Sequence, residues 1–132
     1  MKQHYALLCR KGIVFIVFLL TAQLLLAQSF PAGFQTTRIA QNLNPTDMKF
    51  SPDGHYLFVT DKSGKLFLSH HDSWNPTPIL DFSSKVDFFN ERGFGHIAID
   101  PDFAGNGYIY AYYTVKDSGF NRVARFTFNH AT

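Results

Sequence analysis

Two stretches of this chain share one layout: Met48–Thr60, "MKFSPDGHYLFVT", and Ile97–Thr114, "IAIDPDFAGNGYIYAYYT". Each has a short apolar run, a Pro-Asp turn and a second run rich in aromatic residues. Pro52 and Pro101 are 49 residues apart. After a three-residue expansion of the turn, Leu57 and Phe58 match Ile109 and Tyr110 at a spacing of 52. A third apolar run follows in both copies, "GKLFLSHH" (64–71) and "NRVARFTFN" (121–129), and the first copy adds a fourth, "TPILDF" (77–82). A repeat of about 50 residues built from four strands is one blade of a β-propeller.

The rest of the chain agrees with an all-β reading. Strands are expected at Thr36–Gln41, Asp47–Phe50, Tyr56–Thr60, Lys65–His70, Thr77–Phe82, Phe94–Ile99, Tyr108–Val115 and Arg122–Phe128. Ser-Pro-Asp-Gly, Lys-Ser-Gly, Asn-Pro, Asn-Gly and Asp-Ser-Gly separate them, each joining a fixed or left-handed φ to polar caps. Many short strands with such turns favour a sandwich, barrel or propeller, and the repeat selects the propeller. Together the runs make about one and three-quarter blades, where closed propellers have about 4–8. The expectation is the N-terminal part of a longer propeller, because lone blades leave strand edges unpaired.

Residues 1–27 are a different kind of sequence. Lys2, Arg10 and Lys11 precede the apolar run Ile13–Leu20, and Thr21, Gln23 and Ala27 follow it. The run falls short of the roughly 20 apolar residues of a membrane span and reads as a secretory signal peptide cleaved after Ala27. An uncleaved anchor is the alternative. The signal carries 3 of the 12 basic residues and none of the 10 acidic ones, so residues 28–132 hold 9 against 10, a net of −1. That balance gives no basic face for nucleic acid. The lone cysteine, Cys9, lies in the signal, so an exported chain holds together without disulfides. The expected location is periplasmic or extracellular, with no membrane attachment after cleavage.

The acidic turn Asp100-Pro101-Asp102 invites a calcium reading. The EF-hand pattern needs oxygen ligands at positions 5 and 12, and here those are Ala104 and Ala111. The turn reading is the better one: Asp100 caps, Pro101 fixes φ, and Asn106-Gly107 supply left-handed conformations. His70-His71-Asp72 reads as a solvated strand end rather than a metal cluster, and no metal site is expected. Trp74, Phe88, Phe89 and Phe103 suit packing between blades more than stacking on a sugar.

The stretches "NLNPTDMKFSPDGHYLFVTDKSGKLF" (42–67), "ILDFSS" (79–84), "NERGFGHIAIDPDFAGNGYIYAYYT" (90–114) and "NRVARFTF" (121–128) together resemble the opening of the glucose/sorbosone dehydrogenase family. The resemblance implies an exported six-bladed propeller. It also implies an aldose dehydrogenase that uses pyrroloquinoline quinone and calcium, in which a histidine takes the proton of the sugar C1 hydroxyl while hydride passes to the quinone. That histidine, in a His-x-x-Gly context, belongs to a later blade, as do the calcium ligands and the cations that hold the cofactor. The sequence to residue 132 is therefore expected to be inactive and to bind neither cofactor by itself.

What the resemblance does carry over is the loop before the second blade. Glu91 falls at or beside a polar contact to the quinone, where quinone-using members often carry glutamine, and Arg92 follows it. Members often read Glu-Arg-Gly-Leu-Leu-Gly; here the sequence is Glu-Arg-Gly-Phe-Gly-His, so His96 replaces a small residue near the channel. His96 either lines the channel or is a hydrogen-bonded histidine inside a blade, the commoner role. Glu91 and Arg92 serve a ligand or tie the loop to its neighbour. A non-catalytic carbohydrate- or protein-binding propeller on the same scaffold is the alternative function; the electron acceptor is open.

Overall fold

The computed structural model describes residues 30–129. The signal peptide lies outside the described residues. The described residues from Arg38 onward form one compact unit.

That unit is built from two antiparallel sheets. The first comprises β1 (Pro45–Phe50), β2 (Tyr56–Asp61) and β3 (Lys65–His70), with β4 (Ser73–Trp74) and β5 (Leu80–Asp81) pairing with opposite ends of β3. The second is β6 (Phe94–Ile99), β7 (Tyr108–Thr114) and β8 (Asn121–Thr127), in that order. The registers keep the repeat: Met48 faces Val59 in the first sheet, and Ile97 faces Ala111 in the second.

The turns follow the sequence closely. Ser51-Pro-Asp-Gly54 closes with the Gly54 N–H donating to the Ser51 carbonyl at 2.9 Å. Asp53 accepts from the Ser51 hydroxyl at 2.5 Å and the His55 N–H at 3.1 Å, the self-bonding that suits Asp to turns. Three expectations need correction. Thr36–Gln41 forms no strand. Thr77–Phe82 contributes only the two residues of β5, since Pro76 and Pro78 bring no N–H to a ladder. The expanded turn of the second copy is one helical turn, α1 (Phe103–Asn106), so Asn106 is helical and only Gly107 is left-handed, at φ 64°. A Cβ there would lie 2.2 Å from the Phe128 carbonyl oxygen, so both conformation and space require glycine.

The core lies between the sheets. Phe58 of β2, Phe94 of β6 and Phe103 of α1 are buried, with Leu66, Val86, Ile97 and Ile109 around them. Phe103 meets Phe58 edge-on at 5.5 Å and stacks on Phe128 at 5.8 Å, geometries that favour aromatic pairs. The innermost strands of the two sheets, β1 and β6, are joined by polar bonds as well. Thr46 donates through its hydroxyl to the Phe94 carbonyl at 2.5 Å, and the Ile97 N–H donates to Asp47 Oδ2 at 3.2 Å.

Candidate functional site

The segment between β5 and β6 carries the resemblance, and it is clamped at both ends. A short 3₁₀ turn, Ser83–Lys85, starts it. Val86 then bridges to Val115, and the Asp87 N–H donates to the Thr114 carbonyl at 3.0 Å. At its far end the Phe94 N–H donates to the Lys62 carbonyl at 3.0 Å, and the Lys62 ammonium donates to the Asn90 carbonyl. Gly93 stands between them at φ 155°; a Cβ there would come within 2.9 Å of the Lys62 carbonyl oxygen. Only glycine lets the loop lie this close to the β2–β3 turn.

Beside this loop is an open cleft of about 380 Å³, within the usual range for small-molecule sites. Thr46, Lys62, Glu91, Arg92, His96 and Tyr112 are among its walls. Three residues named from the sequence, Glu91, Arg92 and His96, thus face one space, although their roles differ. Glu91 is exposed and makes no hydrogen bond or ion pair among the described residues. Arg92 does not pair with it. Its guanidinium meets Asp87 Oδ2 at 3.1 Å, donates through Nε to the Phe89 carbonyl at 3.4 Å and lies 5.7 Å from the Phe89 ring. Arg92 is therefore largely spent on shaping its own loop.

His96 is aimed by an irregularity. The β6–β7 ladder slips between Phe94, opposite Tyr113, and His96, opposite Tyr112. Such bulges re-aim side chains, and Gly95 permits it because a Cβ would press on the Tyr112 ring at 3.2 Å. The His96 side chain is 74% exposed, not enclosed within a blade. Its Nδ1 lies 3.6 Å from Asp47 Oδ2, an ion-pair distance rather than a hydrogen bond.

Asp47 is the residue that sequence reasoning missed. It bonds the Lys49 ammonium at 3.0 Å and the Met48 N–H at 2.9 Å through Oδ1, and the Ile97 N–H through Oδ2. Burial alone would raise its carboxyl; the Ile97 N–H, Lys49 and the Met48 N–H outweigh that and hold it below the ordinary aspartate value. A signal was present: the 49-residue spacing that matches Pro52 with Pro101 also matches Asp47 with His96. Lys62 and Thr46 gave none, being distant in sequence from the loop they meet.

The other candidates are structural. Asp100 accepts from the Asp102 N–H, the Asn106 amide and the Tyr110 hydroxyl at 3.0–3.1 Å, as a turn organiser does. His71 and Asp72 are a two-residue turn with φ 45° and 61°, and no group of three or more metal-ligating side chains occurs among the described residues. Trp74 stacks on Phe67 at 5.7 Å and Phe103 is in the core, whereas Phe88 and Phe89, expected to pack between blades, are 54% and 64% exposed.

Two antiparallel blades joined through their innermost strands, with a loop-walled cleft beside that junction, define a β-propeller. The glucose/sorbosone dehydrogenase family model matches residues 43–132, well over half of the sequence, and the chain belongs to that family. Among solved structures it is similar to the pyrroloquinoline-quinone-bound aldose sugar dehydrogenase from Streptomyces coelicolor, with a TM-score of 0.60 and 22% identity. The likeness covers 70% of this chain and 27% of that one, so the chain spans about a quarter of that protein's length. No curated protein sequence matched the chain.

Proposed function

We propose that residues 28–132 are the opening part of an exported, quinone-dependent aldose dehydrogenase propeller, and that the cleft at Glu91–His96 is one wall of its cofactor mouth. The observation that carries this reading is the convergence of Glu91, Arg92 and His96 on one cleft, on a loop anchored at both ends. Family membership and the quinone carried by the Streptomyces coelicolor enzyme support it.

The residues here do not complete a quinone site. Pyrroloquinoline quinone is a tricarboxylate and needs surplus positive charge. Of the charged residues lining this cleft, Glu91 is acidic and the two cations, Lys62 and Arg92, are already engaged with the Asn90 carbonyl and with Asp87. The sugar oxidation that the family implies therefore draws its base, calcium and cofactor cations from other blades, and this chain by itself is inactive. The same charge balance favours the second reading, a propeller that keeps the scaffold and binds carbohydrate or protein without catalysis.

The test is aldose-dependent dye reduction by the gene's complete product, loaded with pyrroloquinoline quinone and calcium. Turnover with glucose or another aldose, absent from residues 28–132 alone, is the expected result. No turnover with any aldose overturns the enzyme reading and leaves the binding propeller.

A further inference from the structure

Asp47 and His96 occupy equivalent repeat positions on adjacent innermost strands, and His96 lines the cleft. Oδ1 of Asp47 already takes two donors, the Met48 N–H and the Lys49 ammonium, while Oδ2 takes one, the Ile97 N–H. Oδ2 therefore keeps an acceptor site, and His96 Nδ1 lies 3.6 Å from it. An ionised carboxylate accepts only. A lone pair on Nδ1 would repel it, whereas an Nδ1–H would donate to it.

From this geometry we infer that Asp47 is a positioning residue that holds His96 as its Nδ1–H tautomer, turning the Nε2 lone pair into the cleft as an acceptor for a ligand hydroxyl. One ring nitrogen being fixed by the partner of the other is the usual logic of functional histidines. The low titration of Asp47 keeps the carboxylate charged at neutral pH. Exposure of the ring leaves it free to rotate and close the remaining gap. The other charged or titratable groups around the imidazole are Lys49 on β1, Lys62 on the β2–β3 turn, Glu91 and Arg92 on the loop, and Tyr112 across the ladder. None of them is within hydrogen-bonding distance of it. The ligand class that fits an Nε2 acceptor is a polyol such as a sugar, not an anion. Only that last step rests on the proposed function; the tautomer does not.

The experiment is long-range ¹H–¹⁵N correlation NMR of the ¹⁵N-labelled protein at pH 8, above the ordinary histidine value of about 6.5. His96 is expected to carry its proton on Nδ1. In Asp47→Asn, whose amide oxygen can still accept from Ile97, it should revert to Nε2–H, the form that a free histidine side chain favours. Glucose should shift the Nε2 resonance, and acetate, an anion without a hydroxyl, should not. Nε2–H in the native protein, or a tautomer unchanged in Asp47→Asn, overturns the positioning role; the native spectrum alone decides should the variant fail to fold. A native Nδ1–H whose Nε2 ignores glucose overturns the ligand assignment.

Discussion

Asp47 ties the two sheets through one carboxylate, so its removal is a stability experiment as well as a functional one. In Asp47→Ala the Ile97 N–H, on a residue only 4% exposed, loses its acceptor. Leaving a buried donor unpaired costs about 1–3 kcal/mol, readable by urea unfolding. Asp61 is held low in a similar way: burial opposes, but the Ser63 hydroxyl, the Asn44 N–H and the Ser63 N–H outweigh it. Both groups titrate lower folded than unfolded, so their contribution is full above the unfolded value of about 3.9 and is lost as pH falls through the folded values. Thermal unfolding should be insensitive to these two groups from about pH 5 to 7 and fall below about pH 4; in Asp47→Asn the acid-side fall should be shallower. Glu91, Arg92 and His96 were legible because they fall within six consecutive residues, 91–96, that carry the family resemblance. The Asp47 contact pairs positions 49 residues apart and becomes visible only when the two repeats are overlaid.

Among the elements, the six long strands were legible to within about two residues because each alternates between two turn signals. Thr36–Gln41 has strand-like residues but no ladder partner among the described residues, and residue preference without pairing does not make a strand. The helical turn α1 was hidden because four residues are too few to show a helical period. Its buried residue nonetheless holds the sheets together. Phe103 touches Phe58 from the first blade and Phe128 beyond β8. Phe103→Ala should cost about 3–5 kcal/mol, measured by urea unfolding. A loss below about 1 kcal/mol would mean that α1 is peripheral to the junction.

At the scale of the molecule, the described residues leave apolar side chains exposed on the innermost strand of the first blade and on the last strand of the second. Met48 and Phe50 on β1 are each 64% exposed, and Val123 on β8 is 68% exposed. Edge strands with apolar side chains invite pairing with another chain, and a net charge of −1 for residues 28–132 does little to keep copies apart. Residues 28–132 on their own should associate as concentration rises. Val123→Lys should weaken association about tenfold, the equivalent of one buried valine at about 1.5 kcal/mol, measured by light scattering. An unchanged mass profile in the variant would remove β8 from the interface.

We propose that the cleft beside β6 is one wall of a quinone mouth, with Glu91 opposing a carboxylate-rich ligand. The most direct test is the affinity of the gene's complete product for pyrroloquinoline quinone in the presence of calcium, native against Glu91→Gln. The substitution keeps the shape and removes one like charge, which in a partly exposed site is worth about 1 kcal/mol. Binding in both proteins, with the variant tighter by about fivefold, is the predicted result. Equal affinities, or no quinone binding by either protein, would contradict it.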